Sequence, residues 1–131
     1  MPLLVYQQDP IRNSVKRLGA KWTLLVLRDI GFLELRRFGE ILRNNPGLTP
    51  KVLSKRLRDM QKEGLIDRKV SKDAVIYRLT SRGEDAVFIL LAFLRYGLKH
   101  HSGDRVRSPM PLPRFDEMVR QYQRLPKAMS R

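Results

Sequence analysis

The stretch 44–50 leaves the backbone very few paths. Asn44–Asn45–Pro46–Gly47 is a strong turn signal, and a helix start follows at once. Thr49 can cap that helix, and Pro50 suits a first helical position, where its missing N–H costs nothing. On the near side, Arg37–Arg43 is predicted to be a short helix with Phe38, Ile41 and Leu42 inward. On the far side lies LTPKVLSKRLRDMQKE, Leu48–Glu63. On a 3.6-residue wheel Leu53, Leu57 and Met60 form one narrow stripe, while Lys51, Lys55, Arg58 and Lys62 converge opposite it with Ser54 at their edge. Asp59 and Glu63 fall on the flank, within reach of Lys55 or Arg56.

Two short helices, a tight turn and a basic second helix make a helix-turn-helix. A helix docked by one face and cationic on the other suits a DNA groove, although taken alone the same pattern also describes a solvated helix. Its neighbours decide between the two. Arg36 and Arg37 stand at the start of the first helix, where positive charge opposes the helix dipole, so they are expected to serve something outside it. After Gly64 the period changes. Leu65–Val70 and Val75–Thr80 read as two strands around the polar turn SKDA, a hairpin of the kind called a wing. Arg68, Lys69 and Lys72 lie in or beside it.

Upstream, Asp9–Pro10 marks a helix start. Ile11–Leu18 is predicted as a short amphipathic helix with Ile11, Val15 and Leu18 on one face, ended by Gly19. Lys21–Ile30 is denser in apolar residues and reads as a mostly buried helix closed by Gly31, with Trp22 as core packing. Downstream, Ser81 and Glu84 have capping-box spacing, and the helix they start is apolar around its whole circumference from Ala86 to Leu94. One small domain has few elements to enclose such a helix, so a symmetric homodimer is expected. The expected interface is Ile11 and Val15 from the first helix with Val87, Phe88, Leu90, Leu91, Leu94 and Leu98 from the last. The predicted fold is therefore mainly α with a small β-hairpin, a winged helix-turn-helix with dimerisation helices at both ends. Residues 1–100 form that domain. Residues 101–131 are a Pro-containing linker and a basic helical extension with Phe115, Met118, Val119 and Tyr122 on one face.

The charge agrees with this reading. Among 131 residues, 27 Lys and Arg face 13 Asp and Glu, a formal +14, and a polyanion follows naturally because binding phosphates releases condensed counterions, although charge alone equally suits an anionic membrane surface or plain solubility. The chain has no cysteine, which removes disulfides, thiolate nucleophiles and thiolate zinc sites. His100 and His101 are adjacent and have no acidic partner at ligand spacing, so no metal and no cofactor are expected. No nucleophile stands with a base, and no glycine loop could cradle a phosphate; an enzyme is not expected. The Ala86–Leu94 run is too short to span a bilayer and MPLLVYQQDP does not read as a signal peptide, so a cytoplasmic, nucleoid-associated protein is expected.

Taken together, LGAKWTLLVLRDI, RRFGEIL, GLTPKVLSKRLRDMQKEGLIDR and YRLTSRGEDA resemble the HxlR-type winged helix-turn-helix regulators, relatives of the MarR group. The blocks run in the family's order over about residues 11–100. The resemblance implies a two-fold dimer that binds double-stranded DNA in a sequence-specific way and controls transcription. It also implies a recognition helix on Thr49–Glu63, with Lys51, Ser54, Lys55 and Arg58 facing DNA, an arginine at Arg37 beside Phe38, and a wing on Val70–Val75. The family's wing often carries a proline pair where this chain has Ser71–Lys72–Asp73–Ala74. Sensing through a cysteine, known in several members, cannot be inherited by a sequence without one. A small-molecule effector is compatible with a groove between subunits, but no residue pattern identifies it. The competing expectations are a non-sequence-specific architectural DNA-binding protein and a protein-interaction module that uses the same fold.

Overall fold

Asp9 opens the first helix: its carboxylate accepts from the backbone N–H groups of Ile11 and Arg12, at 3.0 and 3.2 Å. The computed structural model describes residues 8–102 together with Glu117 and Arg120. The expected linker and the appended-helix face of Phe115, Met118, Val119 and Tyr122 lie outside the described residues. Glu117 and Arg120 pair with each other at 2.7 Å.

Helix α1 spans Pro10–Leu18, α2 Thr23–Gly31, α3 Phe38–Arg43 and α4 Pro50–Lys62. Strands β1 (Ile66–Val70) and β2 (Val75–Leu79) follow, then α5 (Ser81–Gly97) and a π-helical turn over Leu98–Ser102. The boundaries fall close to those predicted. However, α2 begins at Thr23 because Lys21 and Trp22 form a turn before it, with the Lys21 ammonium 5.1 Å from the Trp22 ring centre. Trp22 is half-buried and packs at the edge of the core.

The core draws on every element from α2 to α5. Val26, Leu27 and Ile30 come from α2, Ile41 from α3, and Leu53, Leu57 and Met60 from α4. Ile66 and Tyr77 come from the hairpin, and Ala86, Val87 and Leu90 from α5. Burial of side chains of this size contributes about 1.5–3 kcal/mol each. Phe38 and Leu42, expected inward with Ile41, are half-buried and pack around this centre.

Two glycines make the path past α4 possible. Gly64, at φ +75°, follows the helix end, where its N–H donates to the Gln61 carbonyl and the Leu65 N–H to that of Met60. Gly83 brings α5 against the Leu65 backbone; a Cβ there would stand 2.1 Å from the Leu65 oxygen. The expected Ser81–Glu84 capping box is not what starts α5. Thr80 Oγ1 accepts from the Gly83 N–H at 3.0 Å, and the Thr80 carbonyl from the Glu84 N–H at 2.9 Å. The Thr80 hydroxyl also donates to the Gly64 carbonyl. That one side chain joins strand end, helix start and α4 exit, which places Ser81 already inside the first turn.

The hairpin is antiparallel, with Ile66 opposite Leu79 and Val70 opposite Val75. Ser71 closes its four-residue turn by donating from both N–H and Oγ to the Ala74 carbonyl, at 2.9 and 3.2 Å. Only Ile66 of β1 is buried. The rest of the strand leaves the body, so a poorly alternating sequence still makes a strand through its partner's hydrogen bonds.

Candidate nucleic-acid interface

Thr49 caps α4 by accepting from the Val52 N–H at 3.2 Å, and Pro50 occupies the first helical position. Leu53, Leu57 and Met60 anchor the helix in the core. With that face fixed, Lys51, Lys55, Arg58 and Lys62 are all exposed, and Ser54 is half-buried at their margin. The predicted cationic row therefore points away from the protein.

Its electrostatics are less uniform than the wheel suggests. Lys55 Nζ lies 3.1 Å from Asp59 Oδ2, and an Arg56 N–H reaches the same oxygen at 3.0 Å. The hydrogen bond from Lys55, with the nearby charges of Lys55, Arg56 and Lys62, holds the Asp59 carboxyl below its ordinary value against an opposing desolvation. Glu63 was expected to pair within α4. It instead accepts from Arg17 of α1 at 3.1 and 3.2 Å, because at the helix C-terminus its side chain turns toward the neighbouring helix.

Arg36 and Arg37 are exposed just before α3. The Arg36 carbonyl accepts from the Tyr77 N–H at 2.8 Å, which stitches this segment to β2, and the Arg37 N–H donates to Glu40 at 3.2 Å. Arg68, Lys69 and Lys72 are exposed along β1 and its turn. Arg78, across from Asp67, adds an exposed cation that strand periodicity does not single out.

The expected dimer face needs correction. Val87 and Leu90 are 3% and 8% exposed and belong to the protomer's own core, because α5 packs that side against α2 and β2. Leu91 and Leu94 are half-buried. The large apolar side chains that α5 leaves most exposed are aromatic: Phe88, Phe93 and Tyr96 are 69%, 59% and 60% exposed. Ile11 and Val15 of α1 are exposed as well, and Leu98 opens the π-helical turn. An apolar groove of about 410 Å³ runs between α2 and α5, lined by Leu24, Leu25, Phe32, Leu90, Phe93 and Leu94, with Lys21 and Arg28 at its sides.

His100 and His101 are exposed, their rings 4.7 and 5.6 Å from that of Tyr96. Among the described residues no group of three potential ligands could hold a metal ion, and no helix is long and apolar enough to cross a membrane.

Sequence reasoning missed a polar cluster behind the turn. Asp29 of α2 is fully buried, and Asn45, placed by the sequence in a solvated turn, is buried beside it. A single acid in the predominantly apolar helix KWTLLVLRDI was the available signal.

The same architecture recurs in known proteins. An HTH-type transcriptional regulator of Synechocystis, sll1512, is 38% identical over 91 residues, 67% of each chain. Rv3095 of Mycobacterium tuberculosis, also named an HTH-type transcriptional regulator, is 33% identical over 95 residues. That match takes in 70% of this chain and 59% of the relative's length. A solved structure from Thermoplasma volcanium, described as a possible HxlR family transcriptional factor, superposes with a TM-score of 0.59 at 28% identity. It covers 72% of this chain and 90% of that one. The family model for the HxlR-like helix-turn-helix matches residues 17–104, from the end of α1 through the π-helical turn, and the chain belongs to that family of winged-helix transcriptional regulators.

Proposed function

We propose that this protein regulates transcription as a homodimer that binds double-stranded DNA in a sequence-specific way. Each subunit lays α4 in a major groove, while the hairpin and the Arg36–Arg37 segment hold the flanking backbone. The observation that carries the reading is the outward row of Lys51, Lys55, Arg58 and Lys62 on a helix whose other face is locked in the core by Leu53, Leu57 and Met60. Arg58 and Lys55 are the candidates for base edges, since paired donors from Arg to guanine are the commonest specific contact. Thr49, Lys51, Ser54 and Lys62 border them, and Arg36, Arg37, Arg68, Lys69 and Lys72 hold phosphates.

Exposed Phe88, Phe93 and Tyr96, with Ile11 and Val15, support the two-fold assembly, because water-exposed aromatic area on one helix is costly to leave uncovered. Residues 1–100 then act as the binding and dimerising unit in the cytoplasm, on the nucleoid. Selecting bound duplexes from a random pool tests the reading. A shared motif is expected, with information at one position lost for Arg58→Ala. Recovery of no motif, with uniform occupancy across a genome, would instead establish an architectural DNA-binding protein.

A further inference from the structure

A carboxylate in the middle of an apolar helix is costly unless it is fully paired, and Asp29 is. Its Oδ1 accepts from Arg28 Nε at 3.0 Å and from Asn44 Nδ2 at 3.0 Å, and the Arg28 guanidinium also stands in an ion pair with it at 2.9 Å. Its Oδ2 accepts from Asn45 Nδ2 at 2.6 Å. Arg28 bridges back to Asn45 Oδ1 at 3.0 Å. Asn45 then reaches in both chain directions. Its amide donates to the Ile41 carbonyl at 2.8 Å, and its own carbonyl accepts from the Leu48 N–H at 3.0 Å, one residue before the Thr49 cap.

The cluster thus pins three things to α2: the exit of α3, the turn, and the start of α4. We propose that Asp29, Arg28 and Asn45 are positioning residues for sequence readout, fixing the angle at which α4 leaves the body. This rests on the reading that α4 enters the groove. Asp29 and Asn45 are buried, and the Arg28 guanidinium bonds to both of them, so neither Asp29 nor Asn45 can hold a phosphate. Their influence on DNA passes through geometry. Base-edge bonds tolerate displacement poorly, whereas the attraction of a cationic row for a polyanion survives it.

That difference gives the test. Asp29→Asn keeps the volume and removes the charge. Affinity is measured for the duplex recovered by selection and for an unrelated duplex, across salt concentrations and well below the unfolding temperature. The selected duplex should bind roughly ten-fold more weakly or worse, the expected scale for a lost charge-assisted bond. The unrelated duplex should change by less than about two-fold, with an unchanged salt slope, since no phosphate contact is lost. The exchanged pair, Asp29→Asn with Asn45→Asp, moves the carboxylate across the cluster within reach of Arg28, and should recover part of the lost preference. If Asp29→Asn does not fold, Asn44→Ala removes one bond from an exposed turn residue and should lower the same ratio by less.

A preference that survives in the folded variants overturns the positioning role alone. Equal losses on both duplexes, tracking the fall in unfolding temperature, also overturn it by reducing the cluster to stability. A wild type that shows no preference between duplexes overturns the sequence-specific reading, and this role with it.

Discussion

Helices α4 and α5 are anchored alike and end up facing different worlds. Each buries one stripe in the same core, Leu53, Leu57 and Met60 from α4 and Ala86, Val87 and Leu90 from α5. The outward sides differ in emphasis: α4 shows chiefly Lys51, Lys55, Arg58 and Lys62, while the largest exposed side chains along the apolar part of α5 are Phe88, Phe93 and Tyr96. Anchoring decides which side chains point out, and their chemistry decides what can meet them. A cationic row loses nothing in water and gains from phosphates. An aromatic row is under constant pressure to be covered. One fold thereby sets a cationic outward face and an aromatic one on separate helices.

The sharpest way to break the comparison is to remove the shared anchor. Leu57→Ala should destabilise the protein by about 2–5 kcal/mol, the usual cost of emptying a packed leucine site, measured by urea unfolding. Both outward faces would then fail together. A loss under about 1 kcal/mol would mean that α4 is held elsewhere. Next comes Phe93→Asp, which should leave the protomer's unfolding within about 0.5 kcal/mol, as for most exposed positions. Sedimentation should show its dimer at least about thirty-fold weaker, as for a central aromatic of an interface. If the variant still sediments as wild type, the aromatic side of α5 does not hold the subunits together.

How legible was this in the sequence? Which side of α4 faces out could be read directly, because alternation of leucine and cation at helical spacing fixes the phase of a helix, whereas the Arg17–Glu63 pair needs the neighbouring helix. The α5 side could not. A run that is apolar all round gives no phase, so Val87 and Leu90 were assigned to a partner although the protomer itself encloses them. The start of α5 slipped by one residue for a similar reason. Ser81 and Thr80 are both competent caps, and only the approach of Gly64 to the Thr80 hydroxyl selects between them. Asp29 was hidden most deeply, since its partners Asn44 and Asn45 are supplied by a turn that local rules send to solvent.

Within the cationic row, base-edge and phosphate contacts should separate. Arg58→Ala should cost about 1–3 kcal/mol on the selected duplex and relax one position. Lys72→Ala, on the exposed hairpin turn, should weaken all duplexes alike and flatten the salt slope by about one. Competition binding at a series of salt concentrations reads both. Identical slopes for the two variants would remove the division of labour between α4 and the hairpin.

The smallest effect expected is at Asp59, which faces Lys55 and Arg56 together. Asp59→Asn frees both cations, so affinity for every duplex should rise by about two-fold, a change in line with a solvent-exposed pair. The pH dependence follows from the sign of the shift. Lys55 and its neighbours hold the carboxyl below its ordinary value, so it is ionised at neutral pH. Its pairing is complete above that ordinary value and is lost only as pH falls through the lowered one. Wild type and Asp59→Asn should therefore keep a constant affinity ratio from pH 5 to 8, roughly the span in which carboxylates of this kind stay ionised. The two should converge only in acid below the ordinary carboxylate range. A ratio that drifts between pH 5 and 8 would place the titrating group elsewhere, and the Lys55–Asp59 pair would then not be what tempers the row.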